Sequence, residues 1–358
     1  VFWSEALGLL WQAGPQTPTP MRLNLLKSRW VVDAVDSTAL FRVVVSCSTG
    51  CVFLRVLVTG GAGFIGSHLV RALVSRGFRV RVLDDLSRGS LDSLRPVLDV
   101  VEFVRGDVRD SFAVSSSVRG VDVVVHLAAL TDAFESLVDP LLYESVNVRG
   151  TVNVCAASKN VSVLVFASSA AVYGEPERLP VGEDHPLNPV NPYGASKVAG
   201  EAYVKAYSRV KGYRPVILRI FNTYGPGQTR SYAGVVEEFK RRIKAGKPLV
   251  IYGDGLQTRD FIHVSDVVEA IMKAVEVEEA RGVYNIGSGR AVTVRELAEL
   301  MARIAGRTVE VKHVGPRPGD IRMSQADIAK AERELKFKPR IELEEGLRKL
   351  LEQDNDIG

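Results

Sequence analysis

The sequence predicts a doubly wound parallel α/β sheet followed by a smaller, mixed α/β C-terminal domain. Three observations carry this. Short Val/Leu/Ile runs alternate with segments of helical period, and these runs are nearly continuous in apolar residues, as parallel strands covered on both faces require. A glycine-rich turn sits directly between the first run and the first helical segment. Beyond about residue 222 the pattern changes to Gly/Pro-rich loops and further helices.

In order, the expected strands are residues 55–58, 80–84, 100–104, 121–126, 163–167 and 215–220. Residues 64–76 read as a helix, because Ile65, Leu69 and Leu73 recur every fourth position and Gly77 supplies a stop. A second helix runs from Tyr193 to about Lys211, before Gly212. Further on, Gly225-Pro226-Gly227, Gly253-Asp254-Gly255 and the stretch 315–319 separate helices expected at 235–245, 264–275 and 294–305. The expected organisation is a dinucleotide-binding domain over 54–221 and a mainly substrate-binding domain over 222–358, part of which returns to the first. Residues 1–53 read differently. All three tryptophans and two of the three cysteines lie there, Pro15-Gln16-Thr17-Pro18-Thr19-Pro20 breaks any helix, and a clean strand is expected only from residue 55. The segment lacks the basic start and apolar core of a secretory signal. It is expected to be a misassigned translation start or a weakly folded extension.

The chain has 358 residues, 46 basic and 42 acidic, for a net charge of +4. Apolar residues make up 46 % and charged residues 25 %, values that exclude wholesale disorder. So small a charge, with no basic run, counts against a nucleic-acid partner. No apolar stretch reaches the ~18–20 residues that span a bilayer, so no membrane association is expected. Three cysteines make no disulfide framework and point to a reducing cytoplasm. Histidines 68, 185, 263 and 313 show no metal spacing, and no metal is expected. His126 and Cys155 read as core residues.

Thr59-Gly60-Gly61-Ala62-Gly63-Phe64-Ile65-Gly66 joins the first strand to the first helix. Such glycines let the backbone turn tightly and approach a pyrophosphate, which then meets free N–H groups at the helix N-terminus. Asp84 ends the second strand, 18 residues past Gly66, near the ~20 expected for an acid on the adenosine ribose. A carboxylate there repels a 2′-phosphate, so NAD is favoured over NADP. This is a Rossmann-type site, with contacts expected from Gly60, Gly63, Phe64, Ile65, Gly66 and Asp84. Asp107-Val108, after the third strand, are candidates for the adenine side.

Tyr193 and Lys197 stand four apart on one helix face. A fixed ammonium beside a phenol favours phenolate and lowers its pKa from ~10 toward neutrality, which would make Tyr193 a general base. The preceding strand ends in Ser168-Ser169, where ligands of open α/β sheets sit. Either serine could bond the reacting hydroxyl.

Together these residues resemble the extended short-chain dehydrogenase/reductase family, over about residues 54–351, and most resemble its UDP-glucose (UDP-galactose) 4-epimerases. The glycine loop is complete. His126-Leu127-Ala128-Ala129 matches the family's fourth-strand cofactor motif, and Asn147 its structural asparagine. Ser169, Tyr193 and Lys197 match its catalytic serine, tyrosine and lysine. Asn222 matches the asparagine that touches the sugar nucleotide. Gln257-Thr258-Arg259-Asp260-Phe261 and Arg317-Pro318-Gly319-Asp320 match segments that bind nucleotide diphosphate and ribose. Where related 4,6-dehydratases carry an Asp-Glu pair, this chain has Ala170-Ala171. Methyl groups cannot do the acid–base work of elimination.

The resemblance implies tightly held NAD, contacted also by Leu127, Ala128, Ala129, Asn147, Tyr193 and Lys197. It implies a UDP-sugar substrate bound by Ser169, Tyr193, Asn222, Arg259, Arg317, Asp320 and Ser324. Phenolate Tyr193 would take the 4-OH proton, and the resulting 4-keto sugar would turn before reduction on its other face. Ser324, aligned with a position that controls access for N-acetylated sugars, is small enough to admit UDP-GlcNAc and UDP-GalNAc. A homodimer through helices near 143–158 and 193–211 is also implied. The alternatives are a sugar-nucleotide dehydratase or decarboxylase, disfavoured by Ala170-Ala171; an NAD-dependent threonine dehydrogenase, disfavoured by Arg259 and Arg317; and a non-catalytic NAD-binding scaffold, disfavoured by the intact Ser169, Tyr193 and Lys197.

Overall fold

The computed structural model describes residues 54–228 and 234–352, with the backbone of three short strands before them, Met21–Leu25, Ser28–Val32 and Val45–Cys47. Those three form an antiparallel sheet in a unit of their own, residues 1–53. No strand was expected there, although Met21-Arg22-Leu23-Asn24-Leu25 alternates apolar and polar residues, a period-two signal. The rest of that segment, and with it the reading of a misassigned start, lies outside the described residues.

Residues 54–352 are built on seven parallel strands, numbered in chain order: β1 Arg55–Thr59, β2 Arg79–Asp84, β3 Glu102–Arg105, β4 Val123–His126, β5 Val163–Ser169, β6 Arg214–Ile220 and β7 Gly282–Ile286. Their spatial order is β7-β6-β5-β4-β1-β2-β3. Alternate residues feed two buried faces. Val56, Val58, Val82, Val125, Val165 and Val216 pack on one side with Leu69 and Leu73 of the first helix, Phe64–Ser75. Leu57, Leu83, Val124, Leu164 and Ile217 pack on the other. This two-sided burial explains why most of the strands read as nearly continuous apolar runs.

The expected strand at 100–104 begins later, at Glu102, because residues 91–100 close into a 3-10 helix that Ser90 caps by accepting from Asp92 N. β7 was not anticipated: between Gly282 and Gly287 the short run Val283-Tyr284-Asn285-Ile286 is interrupted by the polar Asn285. A further cluster around Phe239, Ile243, Ile251, Leu297, Met301 and Leu347 joins helices Val235–Lys244, Val294–Ile304 and Leu343–Glu352 to short strands such as Leu249–Tyr252 and Thr258–His263. Among the described residues, no helix is long and apolar enough to cross a membrane.

His126 shows how the centre of the sheet handles a titratable group. Thr151 Oγ1 donates to the Asn147 carbonyl at 2.5 Å, so it accepts from His126 Nε2 at 3.0 Å, leaving Nδ1 to accept from Thr59 Oγ1 at 2.7 Å. The ring is buried and neutral, and burial, aided by Lys197, pushes its pKa down from 6.5 to about 3. The unfolded chain therefore takes up this proton first on acidification. Stability should fall below pH 6.5, by about 2 kcal/mol at pH 5 from this group alone. Urea unfolding of wild type and His126→Gln at pH 7 and pH 5 should show that loss in the wild type only.

Candidate active site

The strand order reverses between β1 and β4, the switch point at which open α/β sheets bind ligands. A cavity of about 510 Å³ opens there. Gly60 leaves β1 at φ +71° and lies so close to the chain after β4 that a Cβ would come within 2.7 Å of Ala128 N. A Cβ on Gly66 would meet the Gly60 carbonyl oxygen at 2.1 Å. Only glycine fits either place. The helix that follows has Gly63 as its cap, no side-chain cap bond and no acid in its first turn. Its leading N–H groups therefore remain available to an anion.

Asp84, at the end of β2, is buried, and accepts from Ala62 N and Leu86 N, each at 2.9 Å. Burial pushes its carboxyl above the usual range, against the pull of those two bonds. Its position fixes one end of the cavity. Gly60, Gly63, Phe64, Ile65, Gly66, Asp84, Asp107 and Val108 line this end, as the sequence suggested, and Leu127, Ala128 and Ala129 line the middle. Asp107 is held by Arg109, whose guanidinium donates to it at 2.6 and 2.8 Å. Uncapped helix N–H groups and a placed carboxylate suit a dinucleotide with a free 2′-hydroxyl.

Ser169, Tyr193, Lys197 and Asn222 converge at the other end. The helix Pro192–Lys211 carries two of them. It starts where Asn191 Oδ1 accepts from Gly194 N at 2.9 Å, with Pro192 in its first position, and stops at Gly212, φ +85°. One face of this helix grips three successive residues of β5. Tyr193 shares a hydrogen bond with Ser169. Lys197 Nζ donates to the Ala167 carbonyl at 2.8 Å. Glu201 accepts from Ser168 Oγ at 2.7 Å. Strand alternation thus separates the two serines: Ser169 pairs with the tyrosine, and Ser168 is tied up behind it.

The electrostatics correct one expectation. Lys197 was expected to draw the Tyr193 pKa toward neutrality. Instead burial pushes Tyr193 up to about 12, opposed only by the Ser169 bond. Burial likewise pushes Lys197 down to about 7. Nζ lies 6.0 Å from the centre of the tyrosine ring and is turned to a backbone carbonyl. Two buried groups without a counter-charge each favour their neutral form.

Five expected contacts do not line the cavity. Asn147 is consumed by structure, bonding Leu130 N and O at 2.8 and 2.9 Å and Ser196 Oγ at 2.9 Å. It braces the segment after β4. Arg259, Arg317, Asp320 and Ser324 lie on the C-terminal part. There Arg259 pairs with Asp320, Asp320 N donates to the Arg317 carbonyl at 3.4 Å, and the Arg317 guanidinium stacks 3.8 Å over Tyr252. Ser324 is buried, its N–H donating to Thr258 Oγ1 at 3.3 Å. The segments that carry the two arginines meet at Asp320, and the guanidiniums are engaged with one carboxylate and one aromatic ring. Sequence reasoning missed Arg88, which also lines the cavity, and the buried pair Glu201–Arg219. The spacing 193, 197, 201 was a usable sign of Glu201; nothing in the sequence singled out Arg88. Among the described residues, no group of three or more His, Cys, Asp or Glu side chains is placed to hold a metal ion.

A family model for the NAD-dependent epimerase/dehydratase family matches residues 56–287. The chain belongs to that family. It is 38 % identical over 306 residues to a UDP-glucose 4-epimerase of Mycolicibacterium smegmatis, covering 84 % of this chain and 98 % of that one. The structure of Thermus thermophilus UDP-glucose 4-epimerase in complex with NAD matches with a TM-score of 0.79 and 38 % identity, over 84 % of this chain and 99 % of that one. A dTDP-glucose 4,6-dehydratase of Streptomyces venezuelae with NAD bound matches equally well in shape, with a TM-score of 0.80 at 33 % identity, over 85 % of this chain and 97 % of that one. The chain is an NAD-dependent enzyme of the nucleotide-sugar epimerase/dehydratase type, and overall shape does not separate the two reactions.

Proposed function

We propose that this enzyme is a nucleotide-sugar 4-epimerase that interconverts UDP-glucose and UDP-galactose. The observation that carries the reading is the distribution of carboxylates around the cavity. Asp84, Asp85 and Asp107 are the acids among its described lining residues, and all lie at or just after the ends of β2 and β3. Beside Ser169 and Tyr193 stand Ala170 and Ala171, and residues 229–233, Thr-Arg-Ser-Tyr-Ala, contain no acid either. Elimination of water needs an acid to protonate the departing 6-hydroxyl. Epimerisation needs only one proton acceptor at O4 and its return.

In this mechanism Tyr193 is the group that takes and gives back the O4 proton, and Ser169 shares the hydrogen bond that orients the hydroxyl. NAD, when bound, would supply a positive charge and a reversible acceptor for the hydride from C4. In this reading Lys197, held by the Ala167 carbonyl, binds a cofactor ribose hydroxyl. Asn222 orients the sugar diphosphate. Arg259 and Arg317 grip the diphosphate as guanidinium forks, after leaving Asp320 and Tyr252. A nucleotide held firmly by its phosphates leaves the sugar free to turn over.

The test is incubation of NAD-loaded protein with UDP-galactose and no free NAD. UDP-glucose is the expected product. A 4-keto-6-deoxy sugar would replace the reading with a dehydratase, and a net redox change requiring free NAD with a dehydrogenase. UDP-GlcNAc in parallel reads the tolerance expected of Ser324. The same reading includes a homodimer through helices at 143–158 and 193–211, where Tyr203 and Val210 are exposed; equilibrium sedimentation measures it.

A further inference from the structure

Arg88, which lines the dinucleotide cavity, pairs with Glu135 from the other side of the switch point. Arg88 belongs to the turn after β2 and lines the cavity. Glu135 belongs to the short helix Ala133–Val138 after β4. In the sheet β1 stands between β2 and β4, and β1 is the strand that ends in the glycine loop. A contact between the chain after β2 and the chain after β4 must therefore cross above that loop. Arg88 Nη2 makes this crossing by donating to Glu135 Oε1.

Both ends of the crossing are anchored. On one side Ser90 N donates to the Ala62 carbonyl at 3.1 Å, and a Cβ on Gly89 would come within 2.8 Å of that carbonyl carbon. On the other, Asp132 Oδ1 accepts from Glu135 N at 2.9 Å. The free oxygen of Glu135 accepts from Tyr143 OH at 2.9 Å, and that hydroxyl accepts from Asp132 N at 3.1 Å. Tyr143 is buried with its ring edge against Tyr193, 6.5 Å between centres.

We propose that the Arg88–Glu135 pair is a strap over the bound dinucleotide that slows NAD release. The inference rests on NAD occupying this cleft and not on which sugar reaction follows. The side chains are 25 % and 38 % exposed, so the strap opens from the solvent side and weakens with salt.

The experiment loads protein with radiolabelled NAD and follows its release into excess unlabelled NAD, so no sugar turnover enters the readout. R88Q and E135Q should each release NAD about 2- to 5-fold faster, the range for a partly exposed pair. The double variant R88Q/E135Q should be no faster than the faster single, because one contact is lost in all three. The charge-swapped variant R88E/E135R should return toward the wild-type rate, which separates loss of the strap from damage to the fold. Added salt should speed release from the wild type and leave E135Q nearly unchanged. Slower release from E135Q would overturn the proposal, since it would mean that Arg88, once freed, holds the phosphates itself. Unchanged rates in both single variants would overturn it as well.

Discussion

Tyr193→Phe protein should retain NAD as the wild type does and turn over about 10³-fold more slowly, within the range of a lost general acid–base group. The substitution removes one oxygen from a ring that is 8 % exposed and packed between Tyr143 and the Ser169 strand end. Most of the expected dinucleotide contacts lie toward Gly60, Asp84 and Ala128, and the substitution keeps the aromatic ring, so binding and turnover should separate. The raised tyrosine pKa adds a second expectation. Without cofactor the phenol is held near 12 by burial, so its titration should move to lower pH once the positive nicotinamide is bound. Spectrophotometric titration of the tyrosines with and without NAD, in wild type and Tyr193→Phe, isolates that change. Wild-type turnover in the variant would reject the assignment of the proton acceptor.

Arg219→Met should be the most destabilising single change near the site. Glu201 and Arg219 are 1 % and 3 % exposed and form a two-pronged pair, both bonds 2.8 Å. Arg219 Nη1 also donates to Tyr173 OH at 2.9 Å, and Tyr173 in turn donates to Asn285 Oδ1 at 2.6 Å. This network stitches the Tyr193 helix to β5, β6 and β7. Removing the guanidinium leaves a buried carboxylate with Ser168 and the more distant Lys205 as partners, which costs about 3–5 kcal/mol. For a chain of this size the midpoint of thermal unfolding should drop by roughly 5–8 °C. The double variant Arg219→Met/Glu201→Leu should recover most of that loss, because no charge is then stranded. A double variant less stable than either single would contradict this view of the pair. Since Glu201 lies on the same helix face as Tyr193 and Lys197, turnover should fall in the single variant and rise again in the double.

The readable parts of the fold were those in which local chemistry and tertiary context demand the same residue. Strands buried on both faces are mostly apolar, so β1, β2 and β4 to β6 stand out. The glycine loop is legible because Gly60 and Gly66 meet backbone at distances that exclude any side chain. The 193–197 spacing is legible because a helix places those residues on one face. What was not legible depends on partners distant in sequence. β7 is a short run whose strand character comes from pairing with β6, and Arg88 becomes informative only when the strand order places it opposite Glu135. Asn147 matched a motif, yet its carboxamide is fully used inside the protein. The Tyr193 pKa was misread for a related reason: charge proximity was visible in the sequence, and desolvation was not.

The most direct test follows the hydrogen on C4 of the sugar. UDP-galactose carrying deuterium at C4 is incubated with the NAD-loaded enzyme in ordinary water, and the product is examined by NMR. Epimerisation with return to the same carbon yields UDP-glucose that keeps the deuterium at C4. Deuterium found at C6 of a deoxy sugar, or lost to the free cofactor pool, would contradict the account.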